Sequence, residues 1–178
     1  MRSQGGMRSA TALASCLLSV ALSVPPVVVN AEIIDRVLAV VSGNVITQSD
    51  ATAAVELGLV TIEPTDDPLG SALAKLIDRQ LVLAEVERYA PPDPPAEAVE
   101  RLLQSVRARF ASPDAYAAAL NRSGIDDARL RRTLRDQLRI ETYLDQRFAS
   151  DRRVALVAEW VGGLRRRTDI TYLYVPRR

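Results

Sequence analysis

Apolar residues recur along this chain in two rhythms. Between Arg36 and Ala51 they crowd together. Val37, Ala39 and Val41 alternate with Leu38 and Val40, so this run is apolar on both faces. Ser42-Gly43-Asn44 supplies turn chemistry. The β-branched Val45-Ile46-Thr47 predicts a returning strand. Thr47-Gln48-Ser49-Asp50 has capping-box spacing, with Thr47 capping the next helix and Asp50 at its third position. Strand, turn, strand and helix start thus fit within sixteen residues. An isolated hairpin is marginal in water and needs a partner. The other strand candidate, Ile170–Val175, stands at the far end of the chain and is the natural one.

Between these ends the apolar steps lengthen to three and four residues, the helical period. Thr47–Leu59 predicts a short helix bearing Ala51, Ala53 and Ala54. Asp67-Pro68 predicts an N-cap with proline at the first helical position. Leu69–Tyr89 follows, with Leu73, Leu76, Ile77, Leu81 and Ala84 on one face. Pro91-Pro92-Asp93-Pro94-Pro95 ends it and serves as an extended spacer or a hinge. Ala96–Phe110 resumes helix, and Ser112-Pro113 starts a short one that Gly124 ends in a left-handed conformation. Asp126 or Asp127 caps Ala128–Phe148. Arg152–Leu164 is the last helix, carrying Val154, Val157, Ala158, Trp160 and Val161, with an end weakened by Gly162-Gly163. The expected fold is mainly α: an amphipathic helical domain with a small antiparallel β-sheet formed by the N-terminal hairpin and the C-terminal strand.

Residues 1–31 have the layout of a secretory signal. Arg2 and Arg8 form a positive start, Thr11–Val29 is apolar, and Val29-Asn30-Ala31 is a small-residue cleavage site. Cleavage would leave Glu32 first. The competing reading is a retained anchor, since nineteen residues nearly reach spanning length; Pro25-Pro26 and the cleavage site oppose it. Leu13-Ala14-Ser15-Cys16 resembles a lipoprotein box, but the apolar run continues well past Cys16. Losing Arg2 and Arg8 takes the net charge from +1 to −1. This gives no general attraction to nucleic acid or anionic membrane. Cys16 is the one cysteine, so the processed chain forms no disulfide. The chain has no histidine, which removes imidazole catalysis, the triads built on it and most zinc sites. No Gly-rich phosphate loop is present. No cofactor and no metal are expected.

Four segments, in order, carry a resemblance. They are RVLAVVSGNVITQSDA, LIDRQLVLAEVERY, FASPDAYAAALNRSGIDDARLRRTLRDQLRIETYLDQRF and VAEWVGGLRRRTDITYLYV. Together they resemble the N-terminal domain, closing helix and strand of the SurA-type periplasmic chaperones. The likeness covers Glu32 to about Val175. It implies one domain over residues 32–178, with a helical core over about 47–148 and a closing helix and strand over about 152–175. One departure is large. Relatives usually carry parvulin-type prolyl isomerase domains before the closing helix. Here only five residues separate Phe148 from Val154, whereas such a domain needs on the order of 100. The family's isomerase site also normally contains histidine. The chain is therefore expected not to be an enzyme.

The resemblance implies an ATP-independent periplasmic chaperone that holds unfolded envelope polypeptides, including outer-membrane β-barrel precursors. Stable membrane insertion after signal cleavage is not expected. Holding unfolded chains requires apolar surface outside the protein's own core. The candidates are Val99, Leu103, Val106, Phe110, Tyr116 and Leu120 on the two helices after the proline segment, with Tyr143 and Phe148 opposite. Taken singly, each is expected to be core, because apolar residues at helical spacing are usually buried. Trp160 is expected to anchor the closing helix. Arg165-Arg166-Arg167 and Arg177-Arg178 form a basic end, expected to be a solvated helix terminus rather than a lipid contact. Asp66-Asp67 and Asp126-Asp127 lack calcium-loop spacing and are expected to cap helices. The alternative function is a structural or adaptor subunit, binding one fixed partner or a second copy as a homo-oligomer.

Overall fold

The alternating run at the start of the domain does form a hairpin. The computed structural model describes residues 35–175. Residues 1–31, expected to be a secretory signal and containing Cys16, and the pair Arg177-Arg178 lie outside the described residues. Strand β1 (Val37–Val41) turns directly into β2 (Asn44–Thr47). Val41 pairs with Asn44, so Ser42-Gly43 alone makes the turn, both at positive φ (49° and 82°). Two left-handed residues match the twist of the flanking strands, which is why short hairpins favour them. Helices α1 (Gln48–Glu56), α2 (Pro68–Tyr89), α3 (Ala96–Arg107), α4 (Pro113–Ser123), α5 (Asp127–Arg147) and α6 (Arg153–Arg167) follow, and β3 (Ile170–Tyr172) closes the chain. β3 pairs antiparallel with β1, giving the order β2-β1-β3. The protein is mainly helical with a small three-stranded antiparallel sheet.

Local chemistry sets most boundaries. Thr47 and Asp50 form both halves of a capping box on α1. The carboxylate of Asp67 accepts from Gly70 N–H, and Pro68 opens α2. Ser112 caps α4 ahead of Pro113, and Asp126, not Asp127, caps α5. Gly124 ends α4 at φ 65°. Ala90 ends α2 in the same left-handed region at φ 43°, and Pro91 bars any continuation.

Four ends differ from expectation. Helix α1 stops at Glu56 rather than Leu59, and α3 at Arg107 rather than Phe110. β3 stops at Tyr172. Helix α6 passes through Gly162-Gly163 and continues to Arg167. Its last turn is held by tertiary contacts: Leu164 is buried, and Arg165 reaches Asp78 and the Ala74 carbonyl of α2. Such anchoring outweighs the roughly 1 kcal/mol propensity cost of each glycine.

Two apolar cores result. The first joins the sheet (Leu38, Ala39, Val41) to α2 (Leu73, Ile77, Leu81) and to Ile140 and Tyr143 of α5. The second joins α1, α3, α4 and the start of α5 through Leu57, Leu103, Val106, Tyr116 and Leu130. Helix α5 is long enough to serve both, its first half in one core and its second half in the other.

Candidate binding groove

Of the eight residues expected to hold clients, six gather in or against the second core, and Tyr143 and Phe148 lie apart from them. Val99, Leu103, Val106, Tyr116 and Tyr143 are buried, and Phe110, Leu120 and Phe148 are half-buried. Val99, Leu103, Val106 and Tyr116 are members of the second core, with Phe110 and Leu120 packed on it. Tyr143 belongs to the first core, and Phe148 lies against Trp160, ring centroids 5.5 Å apart. The helices after the proline segment spend their apolar stripe on α1 and α5. They present no open face built from these residues.

Open apolar surface lies elsewhere, between α2, α5 and α6. A groove of about 740 Å³ runs there, with Leu59 and Val60 of the α1–α2 loop at its margin. Val82 and Ile140 are buried in its floor, beside half-buried Leu144. Its far wall is α6, through Val154, Val157, Ala158 and Val161. Helix α6 is thinly seated. Leu164 is its only buried residue, Trp160 and Val161 are half-buried, and Val154 is 85% exposed. Val154 is thus an exposed apolar side chain on a helix that lines a groove with an apolar floor.

The groove's cations are mostly engaged. Arg165 donates to Asp78 at 2.6 Å and to the Ala74 carbonyl at 2.8 Å, and lies 3.4 Å from the Tyr172 hydroxyl. Its hydrogen bond to the Asp78 carboxylate raises Arg165 above the ordinary arginine range. Arg165 is thus a strap between α6 and α2 rather than part of a solvated terminus, as the run Arg165-Arg166-Arg167 suggested; Arg166 and Arg167 are exposed. Arg79 donates to the Thr133 carbonyl at 2.9 Å. Burial lowers its pKa, and Asp136 and Asp50 partly offset that. Arg153 pairs with Asp145. Only Lys75 lines the groove as a cation with no partner among the described residues.

One end of this region is aromatic. Tyr143 stands 5.6 Å from Tyr89 and 6.1 Å from Trp160. The Arg147 guanidinium covers Trp160 at 5.2 Å and Phe148 at 5.6 Å, within cation–π range. Trp160 therefore does anchor the closing helix against the first core. Adjoining the groove, with Leu59, Val60, Arg79 and Gln137 in common, a more polar cavity of about 540 Å³ is also lined by Asp50, Arg109, Arg129, Arg132 and Asp136, among others. Most of these groups already have partners, such as Arg129 with Asp50 at 2.7 Å. Among the described residues no group of carboxylates, cysteines and histidines could hold a metal ion, and no helix is long and apolar enough to cross a membrane.

No family model matches this chain, and no curated protein matches it. The likeness to the SurA-type proteins therefore rests on the four segments alone. The groove residues Val154, Val157 and Val161 were visible in the sequence as the apolar face of α6. No sequence signal distinguished them from core, since the distinction depends on how deeply α6 seats.

Proposed function

We propose that this protein is an ATP-independent chaperone-like protein of the periplasm that holds unfolded envelope polypeptides in the α2/α5/α6 groove. The observation that carries this reading is the poorly covered apolar wall of α6, with Val154 85% exposed above a floor of Val82 and Ile140. Short aliphatic side chains make few directional demands, so such a groove takes many apolar segments weakly. The few precisely placed polar groups of a small-molecule site have no counterpart here, because the groove's arginines are committed to internal partners. The family resemblance supports the same reading and suggests outer-membrane β-barrel precursors among the clients.

The test is suppression of aggregation. An unfolded outer-membrane β-barrel protein is diluted into the purified protein, and light scattering is followed over molar ratios. Suppression at near-stoichiometric ratios is expected. The double variant Val154→Asp, Val157→Asp, charged on an exposed wall, is expected to keep its fold and lose suppression. No suppression by the folded parent protein overturns the proposal and favours a single dedicated partner, to be sought by pull-down from envelope extract.

A further inference from the structure

Among the described residues β3 leaves one edge of the sheet unpaired, and its register shows which groups face outward. Ser42 N–H donates to the Asp169 carbonyl at 3.2 Å, and Leu173 N–H to the Leu38 carbonyl at 2.9 Å. Val40 pairs with Thr171 midway between these contacts. Hydrogen-bonded and non-hydrogen-bonded pairs alternate along an antiparallel ladder. Asp169, Thr171 and Leu173 therefore turn their main chain toward β1, and Ile170 and Tyr172 turn theirs outward. Among the described residues, nothing bonds those outward groups. The opposite edge offers less, because the Thr47 N–H of β2 already donates to the Asp50 carboxylate at 3.0 Å in the α1 cap. Natural sheets usually blunt a free edge with lysine, proline or a bulge. Ile170-Thr171-Tyr172 contains neither residue, and the register of β1 with β3 runs without a shift.

A cleft of about 480 Å³ lies beside this edge, lined by Leu73 and Ala74 of α2 and by Tyr172 and Tyr174. Tyr172 is 56% exposed. We propose that the β3 edge and this cleft bind an extended segment of non-native polypeptide as an added strand. Main-chain bonds to Ile170 and Tyr172 would hold the guest, and an apolar side chain would enter the cleft. The guest class is a segment with an apolar residue at every second position, matching the strand repeat. A second copy of this chain is the less suitable occupant. Two three-residue edges paired together bury far less than the roughly 1,200 Å² a stable dimer needs. The inference rests on the reading that the protein holds non-native chains, and adds main-chain recognition to the apolar groove.

The probe is a fluorescent peptide of about eight residues, a long strand's length, alternating valine with threonine or lysine. Its control has alternate amides N-methylated, which removes the donors along one edge. Fluorescence anisotropy is expected to show at least about tenfold weaker binding of the methylated peptide. Tyr172→Pro removes an outward N–H together with the ring that lines the cleft, and is expected to weaken binding of the parent peptide by at least a similar factor. Tyr172→Ala, which keeps that N–H and removes the same ring from the cleft wall, is expected to weaken binding clearly less than Tyr172→Pro does. Equal binding of both peptides overturns the proposal without requiring any variant to fold, as does failure of the parent peptide to bind. Aggregation suppression measured alongside separates the two ideas: retained suppression with edge-independent peptide binding removes the strand mode and leaves the groove.

Discussion

Where α3, α4 and α5 converge, two polar side chains share one carboxylate. The Tyr116 hydroxyl donates to Asp127, and Arg107 donates to its other oxygen at 2.6 Å. The Tyr116 hydrogen bond, with Arg107 beside it, holds the Asp127 carboxyl below the ordinary aspartate range. Burial, then the hydrogen bond to Asp127, raises Tyr116 above the usual tyrosine value. A carboxylate with a depressed folded pKa stabilises the protein above its unfolded pKa of about 3.9. That contribution fades as pH falls through the folded value. Asp127→Asn is therefore expected to lower stability at pH 7 by about 1 kcal/mol, a charged hydrogen bond reduced for partial exposure. The deficit should shrink in thermal unfolding below about pH 4. A deficit independent of pH would show that the charge contributes nothing. The sequence marked Asp126-Asp127 as capping residues, and Asp126 does cap α5. The partners of Asp127 come from two other helices, so no local spacing could announce them.

Among the described helices, α6 has the least of itself in the core. Its hold on α2 runs through Leu164 and the Arg165 contacts with Asp78 and Ala74. Arg165→Ala is expected to cost about 1–2 kcal/mol, the size of a charge-assisted hydrogen-bond loss at a partly exposed site. Amide exchange should rise in α6 and β3 before the rest of the domain, because local opening follows the weakest docking. Exchange rising evenly through all helices would instead mean that α6 is not a separable unit. Helix α1 shows the opposite balance. It is short and small-residued, yet a complete capping box fixes its start and Ala51, Ala53 and Ala54 are buried. Its beginning was legible from Thr47-Gln48-Ser49-Asp50. The extension of α6 past Gly162-Gly163 was not, because a contact with α2 decides it.

In the whole molecule the two cores share the apolar stripes unequally, and that leaves one groove open. Phe110 and Tyr116 illustrate the consequence. Their rings meet edge-on at 5.5 Å against the second core, with Tyr116 buried. Phe110→Ser with Tyr116→Ser is expected to destabilise by several kcal/mol, the scale of aromatic truncation in a core. Circular dichroism should show reduced helical signal or an early thermal transition. A double variant that stays folded at the parent midpoint, but fails to bind clients, would return these residues to a binding role. By itself the sequence determined the hairpin, the order of the described helices, the caps of α1, α2 and α4 and the pairing of the first described strand with the last, because turn, cap and periodicity signals act within a few residues. It also set out which side chains are apolar. Which of them stay exposed was decided only by tertiary structure: burial depends on how closely helices distant in sequence seat against each other, and α3 and α4 seat fully while α6 does not.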